Sequence, residues 1–403
     1  LVVPDWYNLQ NSNGPLNVLT DNISQRRLVG LYADLNLSYK NYLFLEATAR
    51  NDWSSTLPVK NNSFFYPSVS GSFVFSELIK PNNILSYGKV RASVAKVGND
   101  TDPYQLLTTF SKGTILSGFG STVFPFGNVA ALQAGSTLGN PDLKPEITTA
   151  YEVGTELSFF NNRFGIDFTY YQNKSKNQIV AIPIPNSTGY GFGVINVGEV
   201  QNKGIELTLK GTAVKTTDLN VELFGTYYRN RNKVVDLGDV DQVVLGGVSG
   251  MAIVAAEGRP YGEFYAVTNQ TDAQGRTIVD SDTGLPLATT TAQYLGSYNP
   301  NYQASFGASI TFKQHWNLNV LFDTKQGNKL YSRTKDILAF VGVSAETGGQ
   351  RFGLPFPNSV YLDANGNSVV NNDVFYAKQD YYPDLNPGVN VIDGSFVKLR
   401  SAG

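Results

Sequence analysis

The sequence contains no cysteine and a single histidine, His315. The first absence rules out disulfides and thiolate metal sites. The second leaves His315 as the one imidazole for a Ser-His-Asp triad or a multi-histidine metal site, and it sits in a short turn beside Trp316. Charged residues make up only 16% of the 403, and the formal net charge is −2, which excludes the broad basic footprint of a nucleic-acid binder. Long hydrophobic runs are missing too. Stretches such as Met251-Ala-Ile-Val-Ala-Ala256 fall far short of the ~18 residues that a membrane-crossing helix requires. Residue 1 is Leu, and no signal-peptide pattern is read in the opening residues.

What is abundant points to strands and tight turns: Gly at 39, Tyr at 23 and Phe at 24. The main signal is period-two alternation. Leu31, Leu35 and Leu37 alternate with Asp34, Asn36 and Ser38, and Leu43, Leu45 and Ala47 with Phe44, Glu46 and Thr48. Tyr151, Val153 and Leu157 alternate with Glu152, Gly154 and Glu156; Ile166, Phe168 and Tyr170 with Asp167 and Thr169; Ile205, Leu207 and Leu209 with Glu206 and Thr208. Ala304, Phe306, Ala308 and Ile310 alternate with Ser305, Gly307 and Ser309. With fainter patterns at 67–76, 88–97, 218–229, 316–323 and 395–400, this gives about eleven strands. Many run for about 9–12 residues, long enough to cross a hydrocarbon layer at a tilt, where ordinary strands have ~5–6. Connections alternate between short (39–41, 161–162, 212–217, 313–315, with a longer link at 77–87) and long (51–66, 98–147, 174–202, 230–300, 324–394). In an antiparallel barrel this places the short turns at one rim and the long loops at the other.

The fold expected is therefore all-β: an antiparallel transmembrane β-barrel, partial, and occupying residues 1–403 as one domain. The strand direction calls for at least one strand ahead of the first, and the last breaks off before it is complete. Asp34, Asn36, Glu46, Glu152, Glu156, Asp167, Glu206, Ser305 and Ser309 are expected to face the lumen, and Leu35, Leu45, Leu157, Phe168, Leu207 and Phe306 the lipid. Trp53, Tyr170, Tyr227 and Trp316 are candidates for aromatic girdles; alternation turns Tyr171 inward.

Several stretches carry a more specific signal. They are Tyr42 to Ser55, with Arg50-Asn-Asp52-Trp-Ser-Ser55 at its end; Phe65 to Ser70; Val90 to Ser93 leading to Gly98-Asn99; and Leu138-Gly-Asn-Pro-Asp-Leu-Lys144 with Glu146 and Thr148. Asn202-Lys-Gly-Ile-Glu206, Gly258-Arg-Pro-Tyr-Gly262 with Phe264-Tyr265, Asn299-Pro300 and Asp393 to Arg400 follow in order. Together, from about residue 28 to 400, they resemble the C-terminal part of the barrel in SusC/RagA TonB-dependent outer-membrane transporters. The resemblance implies a barrel of about 22 strands, of which this chain holds roughly half. It also implies a separate plug and closing strands absent from this chain, no enzyme activity and no cofactor. Active import of a large nutrient, a glycan or peptide fragment, would be driven by the TonB system, with a SusD-like surface lipoprotein as partner. The alternatives are a passive porin and a surface adhesin.

Loop aromatics are the candidates for substrate contact: Tyr190, Phe192, Tyr261, Phe264 and Tyr265, with Tyr381 and Tyr382 behind them. Asp280-Ser-Asp282 stands where many members of the family carry a fuller calcium-like run, and Asp236/Asp239/Asp241 is a second acidic cluster. Neither has full EF-hand spacing, and solvated loop is the competing reading.

Overall fold

A computed structural model describes residues 24–403, apart from 81, 113, 118–119, 125–128, 130, 239, 249, 349–352 and 383–384. Eleven long strands follow one another across a single antiparallel sheet. They are β1 (Leu28–Tyr39), β2 (Leu43–Ser54), β3 (Ser63–Phe73), β4 (Leu85–Asn99), β5 (Glu146–Phe159) and β6 (Phe164–Pro183), then β7 (Phe192–Lys215), β8 (Leu219–Asp236), β9 (Tyr302–Phe312), β10 (Trp316–Gln326) and β11 (Phe396–Ala402). Thr137–Leu138 adds a short parallel segment against the start of β7. The period-two pattern and this order agree strand for strand. Among the described residues β1 and β11 are the two edges and do not pair with each other.

Tight turns close one rim. Lys40 and Asn41 join β1 to β2 with φ of 46° and 58°, and Lys313 and Gln314 join β9 to β10 with φ of 48° and 60°. Two successive positive φ values match the right-handed strand twist, as in a type I′ hairpin. Phe160–Asn162 and Thr216–Asp218 serve the same rim, as does residues 74–84, which hold a short 3-10 turn at Phe75–Leu78. His315 belongs to one of these turns, where its backbone N–H donates to the Phe312 carbonyl.

The opposite rim departs from expectation in one respect. The segment read as a long loop at 174–202 is mostly strand: β6 runs 20 residues and β7 runs 24, joined by residues 184–191. The alternation stops at Asn177 because both sides of the extension are covered. Ile179 and Val194 pack against Leu57, Phe64 and Leu143, while Ile182 packs on the cluster of Val200, Val234, Leu237, Val243 and Ala255. The link at 51–66 likewise shrinks to 55–62. The remaining long connections carry small sheets of their own, including one built from Gln242–Val248, Met251–Ala256, Glu263–Ala266 and Gln293–Ser297. The buried apolar residues lie mainly in this loop layer; the wall below it has little core.

Candidate functional site

The register divides the wall into two faces. On one, Asp34 lies opposite Thr48 and Asn36 opposite Glu46; Glu46 meets Ser70, Ser70 meets Ser93 and Ser93 meets Glu152. Four residues along the same strand a second row begins, through Glu156, Asp167, Thr208, Thr226, Ser305 and Asp323, each opposite the next. Glu206 pairs with Thr169 and Ser309 with Glu222 on the same side. All nine polar candidates thus share one face from β1 to β10.

Cross-strand ion pairs stitch this face together. The Arg91 guanidinium lies 2.8 Å from Asp167 and 3.8 Å from Glu152, and it donates to the Thr169 hydroxyl at 2.5 Å. Lys89 lies 3.0 Å from Glu156, and Arg400 3.0 Å from Asp323. Nearer the long-loop rim, Asp52 accepts from Arg50 Nε at 2.8 Å and from the Tyr66 hydroxyl. Asp100, almost fully buried, accepts from Arg26, Ser54 and Thr56 and so ties the outer ends of three strands. Arg91 belongs to the Val90 to Ser93 stretch singled out in the sequence, yet nothing local there names its partners or those of Lys89. Their partners lie more than sixty residues away, and only the register joins them.

The other face is apolar. Leu35 lies opposite Ala47, Ala47 opposite Val69, Val69 opposite Val94 and Val94 opposite Tyr151. Phe168, Leu207 and Tyr227 form one row, and Phe306, Phe322 and Leu399 another; Leu45 and Leu157 meet Leu37 and Ile166. These side chains are open to the surroundings: Leu31 is 68% exposed, Leu35 54% and Phe306 53%. An apolar surface running across a whole sheet far exceeds the few hundred Å² that a soluble monomer leaves uncovered.

Aromatics flank this face at two levels. Phe164, Phe312 and Trp316 lie at the short-turn end. Trp53, Tyr151, Tyr170 and Tyr227 lie higher, and Tyr227 stacks on Tyr302 at 5.7 Å. Tyr171 turns to the polar face, where its hydroxyl lies 3.1 Å from that of Tyr228 and it covers Gly204.

The loop aromatics are scattered. Tyr190 is half-buried at the tip between β6 and β7, and Phe192 opens β7 with 44% exposure. Tyr261 packs on the Val200–Val234 cluster, Tyr265 against Tyr294 at 4.9 Å, and Phe264 is buried with Met251 and Ala266. Tyr381 and Tyr382 join Phe356 and Tyr376 in an aromatic cluster, where burial pushes the Tyr382 phenol up to about 12. Asp280 caps its own turn. Its carboxylate accepts from the backbone and hydroxyl of Thr283 and the backbone of Asp282, which holds it below the usual carboxylate range. Asp239 lies outside the described residues. Among the described residues no three His, Cys, Asp or Glu side chains converge as a metal cluster would require.

Comparison with known proteins agrees with this geometry. TonB-dependent receptor P26 of Formosa agariphila is 29% identical over 352 residues, 81% of this chain and 34% of the relative. TonB-dependent receptor SusC of Bacteroides thetaiotaomicron is 25% identical over 60% of this chain and 24% of its own length. The chain spans about a third of the curated relatives it matches. Among solved structures, that of the RagAB peptide transporter superposes with a TM-score of 0.69 at 18% identity, over 94% of this chain and 40% of the other. The profile of the family described as TonB dependent receptor-like, beta-barrel matches residues 3–320, and the chain belongs to that family.

Proposed function

We propose that the chain is part of the wall of an outer-membrane importer that takes up a large nutrient, a glycan or peptide fragment, using energy from the TonB system. One observation carries this reading: a single antiparallel sheet with a charged face continuous from β1 to β10 and an exposed apolar face behind it. Such a sheet is stable where one side meets hydrocarbon and the other a watery or protein-filled interior. Asp34, Glu46, Glu152, Glu156, Asp167 and Glu206 then line the lumen, while Leu35, Leu45, Phe168, Leu207 and Phe306 meet lipid. The two aromatic levels are six residues apart in β6, from Phe164 to Tyr170, and eight in β9, from Ala304 opposite Tyr227 to Phe312, about 20–26 Å of strand and of the order of a barrel's apolar band. The short turns then lie on the periplasmic side and the structured loop layer outside the cell. The importer reading is supported by the receptor names of the relatives and by the RagAB likeness. A SusD-like lipoprotein seated on the loop layer is the partner expected from the family resemblance.

The test is uptake by cells expressing the full-length protein, with and without a functional TonB. Uptake that disappears without TonB, together with co-purification of a surface lipoprotein, is the expected result. Uptake indifferent to TonB would replace the importer with a passive channel. A spin label at 207 should be relaxed by lipid-borne quenchers and one at 208 should not; silence at both positions would remove the wall from the bilayer.

A further inference from the structure

The outer end of the apolar face is strongly basic. Just beyond Tyr151, Tyr170 and Tyr227, the register aligns Lys96, Thr149, Lys174, Gln201 and Lys233 in one row across β4 to β8. The row below it contains Gln172, Lys203 and Arg231, and Arg229 follows beneath, opposite Ile205. All of these side chains leave the sheet on the same side as Phe168 and Leu207. Lys174 and Lys176 share the carboxylate of Glu199 at 3.3 and 2.9 Å, and Arg231 donates to Asn301 at 2.6 Å. Lys96, Lys203, Arg229 and Lys233 make no ion pair among the described residues. Yet the chain as a whole is slightly acidic, at −2. The loop layer covers the opposite side of these strands, through Val200 and Val234, so the cations stand on the uncovered side.

We infer that this patch binds the anionic head of an outer-leaflet glycolipid of the phosphorylated lipid A type, whose chains lie on the apolar face below. The inference rests on the reading that this face meets lipid. Strands ~4.8 Å apart make the row from β4 to β8 roughly 19 Å wide, and the rows are ~6.6 Å apart. One small phosphate would engage only a corner of such a surface; a saccharide head bearing several phosphates or carboxylates matches its width. Val94, Val153, Phe168 and Leu207 continue beneath as a smooth apolar floor for more than one acyl chain. Amphipathic rings stand in the lower basic rows, Tyr151 with Lys203 and Arg231 and Tyr170 with Arg229, where a headgroup meets its acyl chains.

The full-length receptor, extracted from outer membranes in mild detergent, is assayed for co-purifying glycolipid by mass spectrometry. Each cation near an anionic membrane surface weighs about fivefold in occupancy, so Lys203→Gln/Arg231→Gln/Lys233→Gln should retain roughly a hundredth of the wild-type amount. The exchange K203R/R231K/K233R should keep it. A photo-reactive side chain at Gln201, between Lys174 and Lys233, should cross-link to lipopolysaccharide in vesicles; one at Thr208 on the other face should not. The cross-link also decides the matter if the triple variant fails to assemble. Undiminished glycolipid in the glutamine variant, or cross-links from 201 to protein alone, overturns the proposal. If the label at 207 senses lipid while these assays fail, the glycolipid site is wrong and the membrane wall stands; if 207 senses none, the wall itself is wrong.

Discussion

Leu207 and Thr208 are neighbours in β7, yet they sit in opposite environments. Leu207 lies between Phe168 and Tyr227, and Thr208 between Asp167 and Thr226. In a bilayer, Leu207→Arg is expected to cost about 2–4 kcal/mol, and Thr208→Arg under about 1, since its guanidinium enters the polar side. Urea-dependent folding of the full-length protein into vesicles measures both; equal costs would remove the distinction between the faces. Gly204, three residues earlier, is fixed by close packing. A Cβ there would lie 2.4 Å from the Arg229 carbonyl and 2.6 Å from the Tyr171 hydroxyl. Gly204→Ala is expected to destabilise by roughly 1–3 kcal/mol. Adding Tyr171→Ala should recover only part of that loss, because the carbonyl is backbone and cannot swing away. Full recovery in a double-mutant cycle would show that the ring alone sets the requirement.

At the scale of elements, the β6–β7 extension is the spine of the loop layer. Leu143, fully buried, holds it together with Leu57, Phe64 and Val194. Leu143→Ala should cost about 2–5 kcal/mol, and the loss should be local, since the cluster takes only the outer ends of β3, β6 and β7, through Phe64, Ile179 and Val194. Faster proteolysis within 100–145, with the wall still resistant, is the expected pattern; unfolding of the whole protein would mean that loop layer and wall are one cooperative unit. The turns capped by Asp272, Asp280 and Asp363 respond to acid in a defined direction. Hydrogen bonds hold each carboxylate below its ordinary range, from Arg276 for Asp272, from Thr283 for Asp280 and from Asn367 for Asp363. A depressed folded-state value gives stability that is fully present above about pH 4 and is lost as pH falls through the folded value. Cleavage at these turns should be flat from neutral pH down to about 5 and rise only below about 4; a rise near neutrality would implicate other groups. The wall was legible in the sequence because each strand has two unlike environments, which alternation records directly, as in Leu31 to Ser38. Ile179 to Ile182 was not, since apolar contacts on both sides erase the period. The same holds for Met251 to Ala256 inside the loop layer. The Arg91 network and the basic patch were illegible for another reason: their members come from β4 to β8, and only the register brings them into one row.

At the scale of the whole sheet, the count of strands limits how it can close. Among the described residues β1 pairs only with β2 and β11 only with β10. Each neighbour in the path is antiparallel, so the first and eleventh strands run in the same direction. Joining them directly would place one parallel pair in an otherwise antiparallel wall, whereas single-chain bacterial barrels close with an even number of strands. The β1 edge is long and exposed at all 12 positions, and such an edge recruits any strand within reach. Further strands, from a longer polypeptide or from another copy, are therefore expected to complete the wall. The 403-residue chain refolded alone into vesicles should give aggregates or multimers, and no monomer that migrates faster unheated than boiled. The full-length receptor should give that compact monomer. Cysteines at Leu35 and Leu399 test the same point from inside: a disulfide between them in a monomeric 403-residue chain would show β1 beside β11, and the requirement for additional strands would fall.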